Sequence, residues 1–300
     1  MRYTTLGLAL LSLGLLAGCI PPWAQVRQPT EGIAVSGNAS NQILAALNDN
    51  ADRIQSIQCT HADLDCRQGL QSFGLDAKLV CAKPKNFRMN AFFGGSQMVD
   101  MGSNDQEFWF WISKADPPYL YHCSYDDFNA GRARLQLPFQ PGWVMEALGM
   151  ARYDPNACRV VDRGRVVQIV QQARGPDGQP VSKVTVVNRN AANQVQVVGH
   201  QLVDAHGKMI CEAKVTMLQK DPTGDGVLPR AVTLSWPAER VTLKLRLDGA
   251  RVNQTLGQEQ MITLFTRPAL GNAVQTYDLA RGLDQPYGTV QRTNARGFGR

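Results

Sequence analysis

Few residues in this chain are of types and spacings that do chemistry. Cys19 directly follows Leu16, Ala17 and Gly18. Small residues immediately before a cysteine are what a lipoprotein signal peptidase requires. The thiol takes a diacylglyceryl group, and cleavage leaves Cys19 as the new N-terminus. Of the seven cysteines, the others are Cys59, Cys66, Cys81, Cys123, Cys158 and Cys211. An even number in an oxidising compartment permits disulfides, and sequence does not choose the pairing. Cys59 with Cys66 is the best local pair, because a short loop is expected between them. Cysteines inside strand-like apolar runs read equally well as buried free thiols.

Catalytic constellations are weak. There is no Gly-x-Ser-x-Gly elbow and no phosphate-binding P-loop. The four histidines are His61, His122, His200 and His206. Cys59, His61 and Cys66 are ligand types that suit zinc, but their spacing matches no standard site, so a disulfide or free thiols read better. Asp221-Pro-Thr-Gly-Asp225-Gly226 echoes a calcium loop without its later glutamate. A turn between strands accounts for the same residues. The expectation is a protein without catalytic residues, metal or cofactor.

The elements around Cys19 explain why it would be modified. Met1-Arg2 is a short basic start, and Leu6 to Leu16 is an apolar run, well short of the roughly 20 residues that span a bilayer. With Cys19 it resembles the bacterial lipobox. An ordinary secretory signal with an unrelated cysteine is the other reading; either exports the protein. Residues 1–18 are then signal peptide. Residues 19–37, with Pro21, Pro22, Pro29, Gly32 and Gly37, form a lipidated tether. Residues 38–282 form the domain, and residues 283–300 a disordered basic tail. No later run reads as a transmembrane helix, so the acyl chains on Cys19 are the expected membrane anchor. Ile20, rather than aspartate, favours the outer membrane by analogy with enteric bacteria. The location is then the cell envelope, facing the periplasm. The net charge of +6 is partly carried by Arg281, Arg292, Arg296 and Arg300. For an exported chain, lipid headgroups or peptidoglycan are nearer partners than nucleic acid; a frayed, solvated tail is the plainer reading.

Within the domain, Ser40 or Asn41 could cap a helix carrying Ile43, Leu44, Leu47, Ala51 and Ile54 at helical spacing. Strand patterns follow over Leu75–Cys81, Phe87–Phe93, a Gly94-Gly95 turn, Gln97–Gly102, the aromatic run at Phe108–Ile112, and Tyr119–Tyr125. Pro141 then opens a short helix with Trp143, Val144, Ala147 and Leu148, stopped by Gly149. Further strands are expected over 166–170, 181–187, 195–203, 209–218, 230–236 and 241–248. Ile262 to Phe265 reads as a last short strand.

The total is about 10 or 11 strands, joined mostly by short turns. The fold class is mainly β with some α: an antiparallel meander that must curl, with helices on its concave side. In Phe108-Trp109-Phe110-Trp111-Ile112 both strand faces are apolar. One face is expected in the sheet's ordinary core and the other against the helices, or a ligand between helix and sheet.

Lys83-Pro84-Lys85-Asn86-Phe87-Arg88-Met89, then Val99-Asp100-Met101-Gly102, then Phe108-Trp109-Phe110 resemble the LolA/LolB family of lipoprotein carriers and receptors. The element order, a leading helix, strands, a helical insertion and more strands, is also similar over most of Ile43–Phe265. The resemblance implies a half-open barrel with a helical lid and an apolar cavity for acyl chains of lipids or lipoproteins. Phe87, Met89, Phe108, Trp109, Phe110, Trp111, Val144 and Leu148 are the candidate cavity residues. Met89, Met98, Met101 and Met145 fall near the expected sheet–lid contact. A lipidated member is more like the anchored receptor than the soluble carrier. The receptor's protruding leucine loop would correspond to Phe92-Phe93-Gly94-Gly95, which offers aromatics and no leucine. The competing reading is an envelope lipoprotein with a filled core that binds or regulates a protein partner.

Overall fold

The computed structural model describes residues 33–35, 37–133, 141–175, 179–189, 195–221, 224, 226–271 and 273–283. Residues 1–32, which hold the expected signal peptide, Cys19 and most of the expected tether, and the residues beyond Leu283 lie outside them.

Two meanders join into one sheet. The first comprises β2 (Ser56–Gln68), β3 (Gln71–Ala82), β4 (Asn86–Phe93), β5 (Ser96–Ser103), β6 (Glu107–Ile112) and β7 (Leu120–Ser124). The second comprises β8 (Cys158–Asp162), β9 (Val166–Arg174), β10 (Pro180–Arg189), β11 (Val195–Asp204), β12 (Met209–Lys220), β13 (Val227–Trp236) and β14 (Val241–Asp248). Each strand pairs antiparallel with its successor, and β14 pairs antiparallel with β2, which fuses the two halves. Short strands complete the sheet: β1 (Ile33–Ala34) on β8, β15 (Arg251–Val252) on β2, β16 (Thr276–Asp278) on β7 and β17 (Gly282–Leu283) on β16. The β16–β7 pairing is parallel. The sheet curls without closing, as a half-barrel.

The helices are α1 (Asn38–Arg53), α2 (Tyr125–Asn129), α3 (Pro141–Met145), which runs on into a wider π-turn over Glu146–Met150, and α4 (Gln258–Phe265). Helix α1 begins at Asn38 behind Gly37, earlier than the expected Ser40 or Asn41 cap. Its buried stripe is Ile43, Leu44, Leu47 and Ala51, and it packs against Val160, Val167, Ile169 and Val187 of β8–β10. Ser124 caps α2 by accepting a hydrogen bond from the Asp127 amide. Pro141 opens α3, where a missing amide proton costs nothing. Gly149, at φ +87°, ends the π-turn in a conformation that favours glycine.

Two expectations are corrected. Cys59 and Cys66 lie on a single strand, β2, with no loop between them. Seven extended positions separate their Cα atoms by about 20 Å, against the roughly 7 Å limit for a disulfide. All six described cysteines are free thiols. The strand escaped notice because a bulge between Cys59 and Ala62 breaks its alternation. Ile262–Phe265 is the end of helix α4, not a strand. There the Gln260 side chain accepts a hydrogen bond from the Gly257 amide at 3.1 Å, holding the helix start.

Candidate functional site

The inner face of the sheet is continuous. Leu79 pairs with Met89, Met89 with Met101, and Met101 with Phe110. On the other side of β2, Leu64 pairs with Leu245, and Leu245 with Val232. Over this region the lid formed by α3 and its π-turn is packed down. Val144, Met145, Ala147, Leu148 and Met150 are all buried in one cluster with Phe87, Met89, Met101, Leu64 and Leu245. Asn48 pins the lid's exit, exchanging hydrogen bonds with the Tyr153 backbone at 2.8 and 2.9 Å. Asn50 does the same for Val227 on β13, at 3.0 Å each way.

Ala213, Leu228, Val232, Leu234 and Trp236 of β12 and β13 join the same cluster, and a small gap remains beside them. A small cavity of about 40 Å³ lies between lid residues Trp143, Val144 and Glu146 and the sheet residues Leu202, Ala213, Leu234 and Trp236. A second, larger cleft of about 510 Å³ lies between α1, the lid and the ends of β11–β13. Glu146 borders both. Its carboxylate forms an ion pair with the Lys183 ammonium of β10. Both side chains are half-buried, so the pair ties lid to sheet at the cavity's edge.

Polar groups are placed deliberately in this otherwise apolar space. The buried Tyr153 hydroxyl donates to Thr185 Oγ1 at 3.2 Å. Thr185 Oγ1 lies 3.2 Å from His200 Nδ1. Burial, and secondly the Lys183 charge, push the His200 imidazole down to about 4, so it is neutral at ordinary pH. Burial pushes the Cys211 thiol, also in the wall, up to about 12, which makes it inert rather than nucleophilic. Among the described residues no group of three or more His, Cys, Asp or Glu side chains is arranged to hold a metal ion.

The sequence-predicted residues separate into three places. Phe87, Met89, Val144 and Leu148 meet in the packed core, and of them Val144 also lines the cavity. Phe108 belongs to a neighbouring cluster with Cys123, Phe128 and Leu279, and Phe110 borders both clusters. Trp109 and Trp111 project from the outer face, so the second face of the aromatic strand does not meet the lid. Helix α4 reaches that face instead. Arg88 donates to the carbonyls of Leu264 and Thr266 at the end of α4, at 3.2 and 3.1 Å, and to Asp100 at 2.6 Å. Asp100 in turn accepts the Trp109 indole N–H at 3.3 Å, and the Trp109 ring lies flush against Gly102. The residues missed were Glu146, Tyr153, Lys183, Thr185 and His200. Their signal was polar side chains at inward positions of otherwise apolar strands, Lys183 and Thr185 in β10 and His200 in β11.

The hairpin expected to protrude is also displaced. Phe93 at the β4–β5 turn is 63% exposed, and among the described residues the most exposed large apolar side chain is Leu70, at 99%, on the β2–β3 turn.

No protein-family model and no curated protein matches the sequence. Solved structures do match. A DUF1329 family protein from Desulfovibrio piger aligns with a TM-score of 0.50 at 10% identity, over 74% of this chain and 95% of that one. A LolA superfamily protein from Nitrosomonas europaea aligns with a TM-score of 0.48 at 10% identity, over 76% and 97%. A putative outer membrane lipoprotein-sorting protein domain from Vibrio parahaemolyticus gives 0.47 at 7% identity, over 75% and 97%. At 10% identity the likeness to the Desulfovibrio piger structure is one of fold alone.

Proposed function

We propose that this chain is a non-catalytic lipoprotein of the bacterial envelope, anchored through Cys19 and facing the periplasm, that holds an acyl chain of a lipid or lipoprotein beneath its lid. The observation that carries the reading is the cavity between Trp143, Val144 and the inner faces of β11–β13. It sits beside the lid against the second meander, and its largely apolar wall suits a flexible hydrocarbon once the lid shifts to widen it. Each methylene buried there contributes about 0.8 kcal/mol, so a partly sequestered chain is held without covalent chemistry. The reading moves the site from the aromatic strand, whose inner face is filled, to the second meander. The lipobox supplies the anchor, and Ile20 favours the outer membrane.

Organic extraction of the chain purified after export, followed by mass spectrometry of the extract, tests this. A co-purifying acyl lipid that is depleted in a Leu148→Asp variant, whose lid is loosened, supports it. A clean extract that stays clean after incubation with lipid refutes it.

The packed half of the molecule favours a second reading. Leu148, Phe87 and Leu79 are fully buried, and a filled core with exposed Leu70 and Phe93 also suits a protein-binding envelope module. Pull-down of a defined envelope partner, lost in Leu70→Glu, would favour that reading over lipid holding.

A further inference from the structure

Among the described residues, the cavity wall contains a buried side-chain nitrogen that no other group uses. His200 lines the space, and its Nε2 is buried with no hydrogen-bond partner. The other ring nitrogen is engaged. Tyr153 donates to Thr185 Oγ1, and Thr185 Oγ1 stands at hydrogen-bond distance from Nδ1. If the Tyr153 proton occupies one lone pair of Oγ1, the Thr185 proton satisfies its own valence by pointing at Nδ1. That arrangement leaves Nδ1 as acceptor and puts the imidazole proton on Nε2. The reverse tautomer would leave the Thr185 proton without this acceptor. Tyr153 and Thr185 are each 4% exposed, and the His200 ring is half-buried beside them with its Nε2 out of contact with water. The relay fixes a neutral ring, held neutral by burial and by the Lys183 charge, with an N–H donor in an apolar wall. An N–H walled off from water without an acceptor is unfavourable, and native proteins rarely keep one without a use for it.

Resting on the lipid-holding reading above, we propose that the cavity selects chains ending in a carbonyl, a carboxylic ester or a carboxylate, and that His200 Nε2–H donates to the carbonyl oxygen when the lid shifts to admit the ligand. The hydrocarbon then lies along Trp236, Leu234 and Ala213. The Lys183–Glu146 pair stands at the same wall, where a charged or hydrated head would meet it. His200 is a specificity residue in this scheme, with no bond made or broken.

The test uses the purified exported chain and three probes of matched length, delivered from cyclodextrin: methyl dodecanoate, dodecanoate and tridecane. Binding is read by fluorescence of Trp143 and Trp236 and by native mass spectrometry. The expected result is that the two carbonyl probes bind roughly tenfold more tightly than tridecane, the worth of one well-formed hydrogen bond. The preference disappears in His200→Leu while tridecane binding is kept. In the unmutated chain with ¹⁵N-labelled histidine, the His200 Nε2 resonance shifts on adding methyl dodecanoate and not tridecane, which frees the test from any folding defect of the variant. A preference for dodecanoate alone identifies a free acid as the source; binding of both carbonyl probes identifies an acyl ester as well. Equal binding of all three probes, or a preference that survives in His200→Leu, overturns the inference and leaves lipid holding intact. No binding of any probe overturns both.

Discussion

Arg88 and Asp100 are the plainest case of a residue whose partner decides its value. Asp100 is 1% exposed and accepts from Arg88, Asn90, Gln97 and Trp109. Removing one member strands the other's charge, which costs about 3–5 kcal/mol at buried pairs. Asp100→Ala is therefore expected to lose stability of that order in urea unfolding, and to release α4 from the sheet. Gly102→Ala acts at the same place by steric means: a Cβ there would lie 2.3 Å from Trp109 Cζ2. Loss of the tryptophan near-ultraviolet circular dichroism signal would report the displaced ring. His200 makes a pH prediction. Its ordinary value is 6.5 and burial lowers it to about 4. The unfolded chain binds the extra proton first, so stability falls as pH drops from 6.5 towards 4, by about 3 kcal/mol in the limit. His200→Gln should flatten that part of the unfolding-midpoint-against-pH curve. An unchanged slope would mean the histidine is not buried as described.

Elements were legible where one periodicity ran unbroken. The α1 stripe, the Gly94-Gly95 turn, the aromatic strand and Leu243–Leu247 all show in the sequence, because each is a regular pattern bounded by turn residues. Strand β2 was not, since its bulge shifts the inward set from Ile57 and Cys59 to Ala62 and Leu64. Helix α4 was misread as a strand because eight residues hold barely two turns, too short a window to show a 3.6-residue period. The second face of the aromatic strand was misassigned for a related reason. Apolar residues on both faces say that something covers each, and say nothing about which element does. The lid itself supplies a prediction at this scale. Gly149 sits at φ +87°, so Gly149→Ala should cost about 1–2 kcal/mol, read as a lower urea midpoint. It should also speed lipid exchange if the π-turn is the lid's hinge.

At the scale of the whole molecule, the sheet must curl, because so many antiparallel strands twist cumulatively, and a curled sheet leaves an inner face to be filled. The first meander fills its inner face with Met89, Met101, Phe87 and the lid. The second does so with α1 and leaves a gap beside the lid. That division explains why the site was only partly visible in sequence. Core and cavity use the same residue types and differ in whether the space is occupied, which depends on how the two meanders meet at β2 and β14. The half-barrel was readable; the position of its empty part was not.

The central claim is that this empty part holds an acyl chain, and filling it is the most direct test. Ala213→Trp places a large ring in the cavity wall, at the β12 end of the core cluster that Ala213 joins. Native mass spectrometry of the exported chain, with and without this substitution, should show an acyl-lipid adduct on the unmodified chain that is lost in the variant, with the variant still folded by circular dichroism. An adduct retained undiminished in a folded Ala213→Trp chain, or no adduct on either, would contradict the account.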